Sequence, residues 1–228
     1  MIAGARTGTG GRTDAMTIDK VEFASMLCSR LCHDLLSPVG ALNNGLELMA
    51  DETDPEMRQR CIELLEQSAR ISAEKLKYFR LAFGSAGGFD HEIPSSEAKA
   101  AIAGMIGPNG RIELGWMVQN ESLPKPVVKV LLNMALIGLE SLVRGGRLDV
   151  GAERTDGGTE IVVRAEGPRI ALDPEIARAL QGEILEIELS SRNAAAWMTY
   201  AIADHHKGEV VVSMDGDNAV LFGAMLEG

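Results

Sequence analysis

Leu31-Cys32-His33-Asp34-Leu35-Leu36-Ser37-Pro38 sets an imidazole, a carboxylate and a hydroxyl within about one helical turn of each other. At roughly 100° per residue, His33 lies nearly opposite the direction shared by Leu31 and Leu35. It therefore projects off the apolar stripe and into solvent, where a buried structural histidine would take the other face. A neutral imidazole nitrogen is a competent nucleophile near neutrality, and the adjacent Asp34 biases its tautomer and proton affinity. Ser37 follows one turn later on the His33 face, and Pro38 removes a backbone donor just past it, where it can kink the helix. Gly40, Ala41 and Asn44 continue that face with small groups, leaving room for another protein to approach closely.

The elements that must position this group are legible from periodicity. From Val21 to Met49, Leu27, Leu31, Leu35, Pro38, Leu42, Leu46 and Met49 recur at spacings of three and four, an amphipathic helix. The pattern breaks at Asp51-Glu52-Thr53-Asp54-Pro55, where Asp54 suits an N-cap and Pro55 the first helical position. A second stripe follows, through Met57, Cys61, Leu64, Leu65, Ser68, Ser72, Leu76, Phe79 and Phe83. Two long helices joined by a short turn make an antiparallel hairpin, which alone leaves much of each stripe wet. Pairing two copies into a four-helix bundle covers it, so a homodimer is expected.

Gly84-Ser85-Ala86-Gly87-Gly88 reads as a hinge. Beyond it, helices are expected over Ser95 to Ile106, Pro124 to Val143 and about Ser191 to His206. Strands are expected over Arg111 to Val118, Arg147 to Arg154 and Glu160 to Ala165, then in a hairpin of Glu209 to Met214 and Ala219 to Leu226 around Asp215-Gly216-Asp217-Asn218. The fold class is therefore α+β, helices layered on a mainly antiparallel sheet. Its expected organisation is a flexible tail over 1–19, a helical hairpin over 20–84 and a mixed domain over 85–228.

Composition excludes several functions. The 228 residues are 46% hydrophobic and 24% charged, enough to bury a core, and no apolar run approaches the ~18 residues of a membrane span. The first residues, Met1 to Asp14, lack the apolar stretch of a secretory signal. Lys and Arg number 22 against 33 Asp and Glu, so the formal charge of −11 repels a phosphate backbone, and no nucleic-acid partner is expected. Three cysteines, Cys28, Cys32 and Cys61, cannot all pair, which fits reduced thiols in the cytoplasm. Cys28 and Cys32 read as small core residues. The Cys28–Cys32–His33 run has one residue too many between its thiols for haem attachment, and His33 points away from at least one of them, so no metal site is expected. His205 and His206 end a helix and read as structural; Glu183, Glu186 and Glu188 read as a solvated face.

The segment Glu22-Phe23-Ala24-Ser25-Met26 through His33-Asp34-Leu35-Leu36-Ser37-Pro38 resembles the phosphoacceptor box of two-component sensor kinases. The resemblance matches His33 to the phosphorylated histidine, Asp34 to its acidic neighbour, Ser37 to a Thr or Asn, and Pro38 to the proline; Leu36 departs, lacking the usual basic residue. The C-terminal part resembles the kinase ATP-binding fold with its nucleotide boxes erased. In Leu131-Leu132-Asn133-Met134-Ala135-Leu136-Ile137, Ile137 stands where a magnesium-ligating asparagine belongs. Ala165 replaces the adenine-reading aspartate and Arg169 a glycine, while Asn193 and Ala195 replace phosphate-cradling glycines. An apolar side chain holds no magnesium, and Cβ atoms at glycine positions bar close approach to phosphate, so no ATP-binding residues and no cofactor are expected.

A phosphoacceptor hairpin followed by such a domain resembles the ChpT-type histidine phosphotransferases of alphaproteobacteria, over roughly residues 20 to 228. The resemblance implies that His33 accepts a phosphoryl group from the receiver aspartate of a hybrid histidine kinase (CckA-like) and passes it to response-regulator receivers (CtrA-like and CpdR-like). Mg2+ and a lysine are then expected on the partner receiver domain. Such transfer is mostly positioning and charge neutralisation. On the helical wheel, Arg30, Leu36, Val39, Gly40, Asn43 and Asn44 form the expected docking surface around His33. The alternatives are an active ATP-dependent histidine kinase and an adaptor that docks receivers without chemistry.

Overall fold

The computed structural model describes residues 18–84, 92–108 and 110–227. Helix α1 (Lys20–Asp51) begins where the Asp19 carboxylate accepts from the amides of Val21 and Glu22 at 2.7 and 3.1 Å, filling two of the orphan donors of the first turn. It runs unbroken through Pro38. Helix α2 (Pro55–Ala82) starts as its sequence dictates, with Asp54 accepting from the Glu56 amide at 3.0 Å and Pro55 in the first turn. Arg58 reaches back across the turn and donates to the carbonyls of Met49 and Glu52 at 3.1 and 2.9 Å, closing the end of α1. Midway along the hairpin, Gly45 admits Leu65 so closely that a Cβ there would stand 2.9 Å from its Cδ2.

Two expectations need correction. The tail expected over 1–19 ends early: residues 1–17 lie outside the described residues, but Ile18 is buried in the core and Asp19 caps α1. Cys28 and Cys32 are exposed, and only Cys61 is buried. Each sits one residue past a stripe leucine, and that ~100° step carries it round to the flank. The expected hinge, after Gly84, lies outside the described residues.

The second unit opens with β1 (Glu92–Pro94), α3 (Ser95–Ile106), β2 (Ile112–Trp116), β3 (Ser122–Pro124) and α4 (Lys125–Ser141). It continues through β4 (Gly146–Thr155), β5 (Gly158–Glu166), α5 (Pro174–Leu180), a short 3-10 turn at Glu186–Glu188, α6 (Ala194–His205), β6 (Glu209–Asp215) and β7 (Ala219–Leu226). The main sheet has the order β2-β4-β5-β7-β6, antiparallel except where β2 runs parallel to β4; β1 and β3 form a separate two-stranded ribbon. Strict alternation puts Leu148 and Val150 of β4, Ile161, Val163 and Ala165 of β5, and Val220 and Phe222 of β7 on the covered face. Helix α4 is buried along nearly its whole length, and its Gly138 lies against Leu148, where a Cβ would stand 2.8 Å from Cδ1. The α+β reading therefore holds. The three helices and five strands expected past the hinge are all present, while β1, β3 and α5 were not foreseen.

The hairpin is anchored by its last turns. Tyr78, Phe79 and Ala82 of α2 are buried in the same apolar cluster as α3, α4 and the sheet. The Tyr78 hydroxyl donates to the carbonyl of Leu132 on α4, and burial pushes the phenol well above its ordinary pKa. At the same end of the hairpin, Phe23 of α1 meets Trp197 of α6 edge to face, centroids 4.7 Å apart. Among the described residues no helix is long and apolar enough to cross a membrane.

Candidate functional site

His33 stands on the outer flank of α1 with 85% of its side chain exposed, as the wheel demands. Its Nδ1 lies 3.2 Å from Asp34 Oδ1, so the neighbouring carboxylate holds one ring nitrogen and leaves Nε2 facing solvent. Asp34 is itself held: its other oxygen accepts from Arg30 Nε, one turn earlier, at 2.8 Å. The Arg30 guanidinium continues to the Glu140 carboxylate on α4 and, at 3.4 Å, to the backbone carbonyl of Arg192. Burial draws Arg30 toward lower pKa, but Glu140 and Asp34 outweigh it and hold the guanidinium above its ordinary value. Burial pushes Glu140 up against the pull of Arg30.

This corrects the expected docking surface. The side chain of Arg30 is only 12% exposed and spent on two carboxylates, so it braces α1 against α4 instead of offering a charge to a partner. Leu36, Val39, Asn43 and Asn44 are exposed, Ser37 is exposed beside them, and Gly40 is half-buried with open space where a Cβ would stand.

Lys75 was missed. Its ammonium, from α2, donates to the backbone carbonyl of Asp34 at 2.8 Å. The reason lies four residues downstream, where Pro38 has no N–H to give that carbonyl its helical bond. The proline thus creates an orphan acceptor beside the imidazole, and α2 supplies the donor. A mid-helix proline was visible in the sequence, but the identity of the compensating lysine was not.

Between α1 and the second unit lies a cleft of about 370 Å³. His33 and Asp34 form one wall; Ile137, Ile176 and Arg192 are among the residues opposite. Ile137 is buried on α4, Ala165 is fully buried against the α4 face of the sheet, and Arg169 is exposed. Asn193 is buried before α6, where its amide donates to the Glu188 carbonyl at 3.0 Å and its oxygen accepts from the Ser190 amide at 2.8 Å. An amide side chain thus knits together the loop where a glycine would leave bare backbone. Glu188 is drawn below the ordinary carboxylate range by the Arg178 guanidinium and the Leu185 amide. Among the described residues no group of three or more His, Cys, Asp or Glu could hold a metal ion.

The family model for the histidine phosphotransferase C-terminal domain matches residues 95–218, more than half of the chain. The chain belongs to the histidine phosphotransferase family. It is 31% identical over 205 residues to the protein phosphotransferase ChpT of Brucella abortus (strain 2308), a match spanning 90% of this chain and 96% of that protein. A solved bacterial phosphotransferase superposes with a TM-score of 0.80 at 30% identity, covering 92% of this chain and 98% of that one. The Acinetobacter baumannii histidine kinase AdeS matches more weakly, with a TM-score of 0.46 at 12% identity over 86% of this chain and 97% of that one. This histidine phosphotransferase is ChpT-type, an enzyme that moves phosphoryl groups in a two-component phosphorelay.

Proposed function

We propose that His33 is the group that carries the phosphoryl, taking it from a receiver-domain aspartate and passing it to another. The observation that carries this reading is the exposed imidazole, held at Nδ1 by Asp34, with Nε2 open to solvent. In the forward step the Nε2 lone pair forms the N–P bond while the P–O bond to the aspartyl carboxylate breaks and that carboxylate leaves. Delivery is the reverse step, with a second receiver's carboxylate as nucleophile. The transition state is loose and in line, so the demands are placement and neutralisation of charge. Asp34 places the ring; Lys75 and Arg30 fix Asp34. The Mg2+ and the lysine that neutralise the transferring oxygens belong to the receiver. Ser37, Leu36, Val39, Gly40, Asn43 and Asn44 form the surface on which the receiver settles, with the bare flank at Gly40 allowing close approach. By this reading the donor is a CckA-like hybrid kinase, the acceptors are CtrA-like and CpdR-like regulators, and the site of action is the cytoplasm.

The reading assigns the phosphoryl source to a protein and not to a nucleotide. Label should pass to this chain from a phosphorylated receiver domain, and none from ATP labelled at the γ-position. The single substitution Ile137→Asn should leave ATP binding undetectable by calorimetry, because Ala165, Asn193 and Ala195 still occupy the adenine and phosphate positions. Saturable ATP binding by the unmodified protein, or self-labelling from ATP, would overturn this part.

The hairpin bears an apolar flank exposed in the monomer: Leu46 of α1 and Ile62 and Leu76 of α2 lie on the same side of it. We assign this face to a second copy of the chain, in a four-helix bundle, with residues 20–84 as the dimerising unit and 85–228 as the unit that braces it. Light scattering should return twice the 24.4 kDa of one chain. The pair Leu46→Glu with Ile62→Glu, which would set buried like charges in the seam, should return one. A wild-type chain that remains monomeric at micromolar concentration would remove the dimer.

A further inference from the structure

We infer that Glu140, on helix α4 of the second unit, is a positioning residue for His33, acting through Arg30 and Asp34. This inference rests on the reading of His33 as phosphoryl carrier and adds a part of the machinery from the other half of the molecule.

The contacts form an unbroken line. The Glu140 carboxylate meets Arg30 Nη2; Arg30 Nε meets Asp34 Oδ2 at 2.8 Å; Asp34 Oδ1 meets His33 Nδ1 at 3.2 Å. Its middle is the sheltered part, with Arg30 12% and Asp34 17% exposed between Glu140 at 41% and His33 at 85%. A guanidinium offers its donors as a rigid planar fork, so the carboxylate that fills one edge decides how the other edge sits. With Glu140 on the Nη2 edge, Arg30 presents Nε alone to Asp34. One Asp34 oxygen is then occupied and the other is turned to the imidazole.

Charge reinforces the geometry. The groups around the imidazole are Arg30 and Asp34 on α1, Lys75 on α2, Glu140 on α4, and Asp173 and Arg192 across the cleft. Asp173 and Arg192 pair with each other at 3.5 Å. Of the two cations on this side, Lys75 is spent on the Asp34 backbone carbonyl and Arg30 on the Asp34 carboxylate, and Glu140 divides the charge of Arg30. Without Glu140 the whole Arg30 charge falls on Asp34, which closes into a two-toothed pair with the fork and swings Oδ1 off the ring. His33 then loses the partner that holds its proton on Nδ1, and Nε2 is the free nucleophile for a smaller fraction of the time.

The test is Glu140→Gln, which keeps the side chain's shape and removes its charge, with Glu140→Asp as the variant that keeps the charge. Nitrogen-15 shifts of His33 report the tautomer without any transfer taking place. Glu140→Gln should shift population off the Nδ1–H tautomer and lower kcat for transfer from a phosphorylated receiver roughly tenfold, with KM for the receiver unchanged. Glu140→Asp should restore the tautomer in part. In an Arg30→Met background the Glu140 substitution should add nothing, since its route is gone. Unchanged His33 shifts in folded Glu140→Gln would overturn the inference, and so would a shifted tautomer with an unchanged kcat. Retention of labelling in His33→Gln would strike the underlying reading instead, leaving the tautomer result to stand on its own.

Discussion

His33→Gln is expected to reduce phosphoryl acceptance from a phosphorylated receiver to background while leaving the fold intact. The two halves of that outcome have separate grounds. Glutamine offers no nucleophilic nitrogen, and among the described residues no second histidine lines the cleft. His205 and His206, stacked edge to face at the end of α6, stand in a different part of the second unit and do not line the His33 cleft. The fold survives because the His33 side chain is 85% exposed and bonds its own neighbour Asp34, so the substitution belongs to the surface class that moves stability by no more than about 0.5 kcal/mol. The measurement is acid-labile label on the chain, with thermal melting of the same sample as the control. Undiminished label on a normally melting His33→Gln protein would place the acceptor elsewhere.

Tyr78→Ala is expected to cost about 3–5 kcal/mol, the range for deleting a large buried ring into a cavity. Tyr78 is fully buried and stands where α2 enters the core of the second unit, so no surface group can relax into its place. For a chain of this size that cost lowers the midpoint of melting by roughly 6–20 °C. Tyr78→Phe separates the ring from its hydroxyl. It keeps the packing and gives up the bond to the Leu132 carbonyl, so about 1 kcal/mol is expected. A Tyr78→Ala protein melting within 2 °C of the wild type would mean that the ring is not part of the shared core.

Much of the fold was open to pattern reading, and the places where it was not have a common cause. The hairpin, its Asp54-Pro55 start and the exposed side of His33 follow from periodicity and capping, both local properties. Asp173-Pro174 carries the same start signal, with Asp173 accepting from the Glu175 amide at 2.9 Å, but the seven-residue α5 is too short for a period to show. The three-residue β1 and β3 are likewise too short to alternate. Arg30 is the instructive failure. A wheel gives its direction correctly and its role wrongly, because the carboxylate that absorbs it lies 110 residues away on α4. Lys75, 41 residues from Asp34, is hidden for the same reason. Direction is a one-dimensional property; partnership needs the assembled molecule.

Tyr78, Phe79 and Ala82 of α2 lie in the interior of the second unit, and Arg30 of α1 is clasped beside them, so both helices are held at the same end of the hairpin. Delivery from a nucleotide would require one half to advance on the imidazole and then retreat. A hairpin held through both of its helices is poorly built for such a stroke.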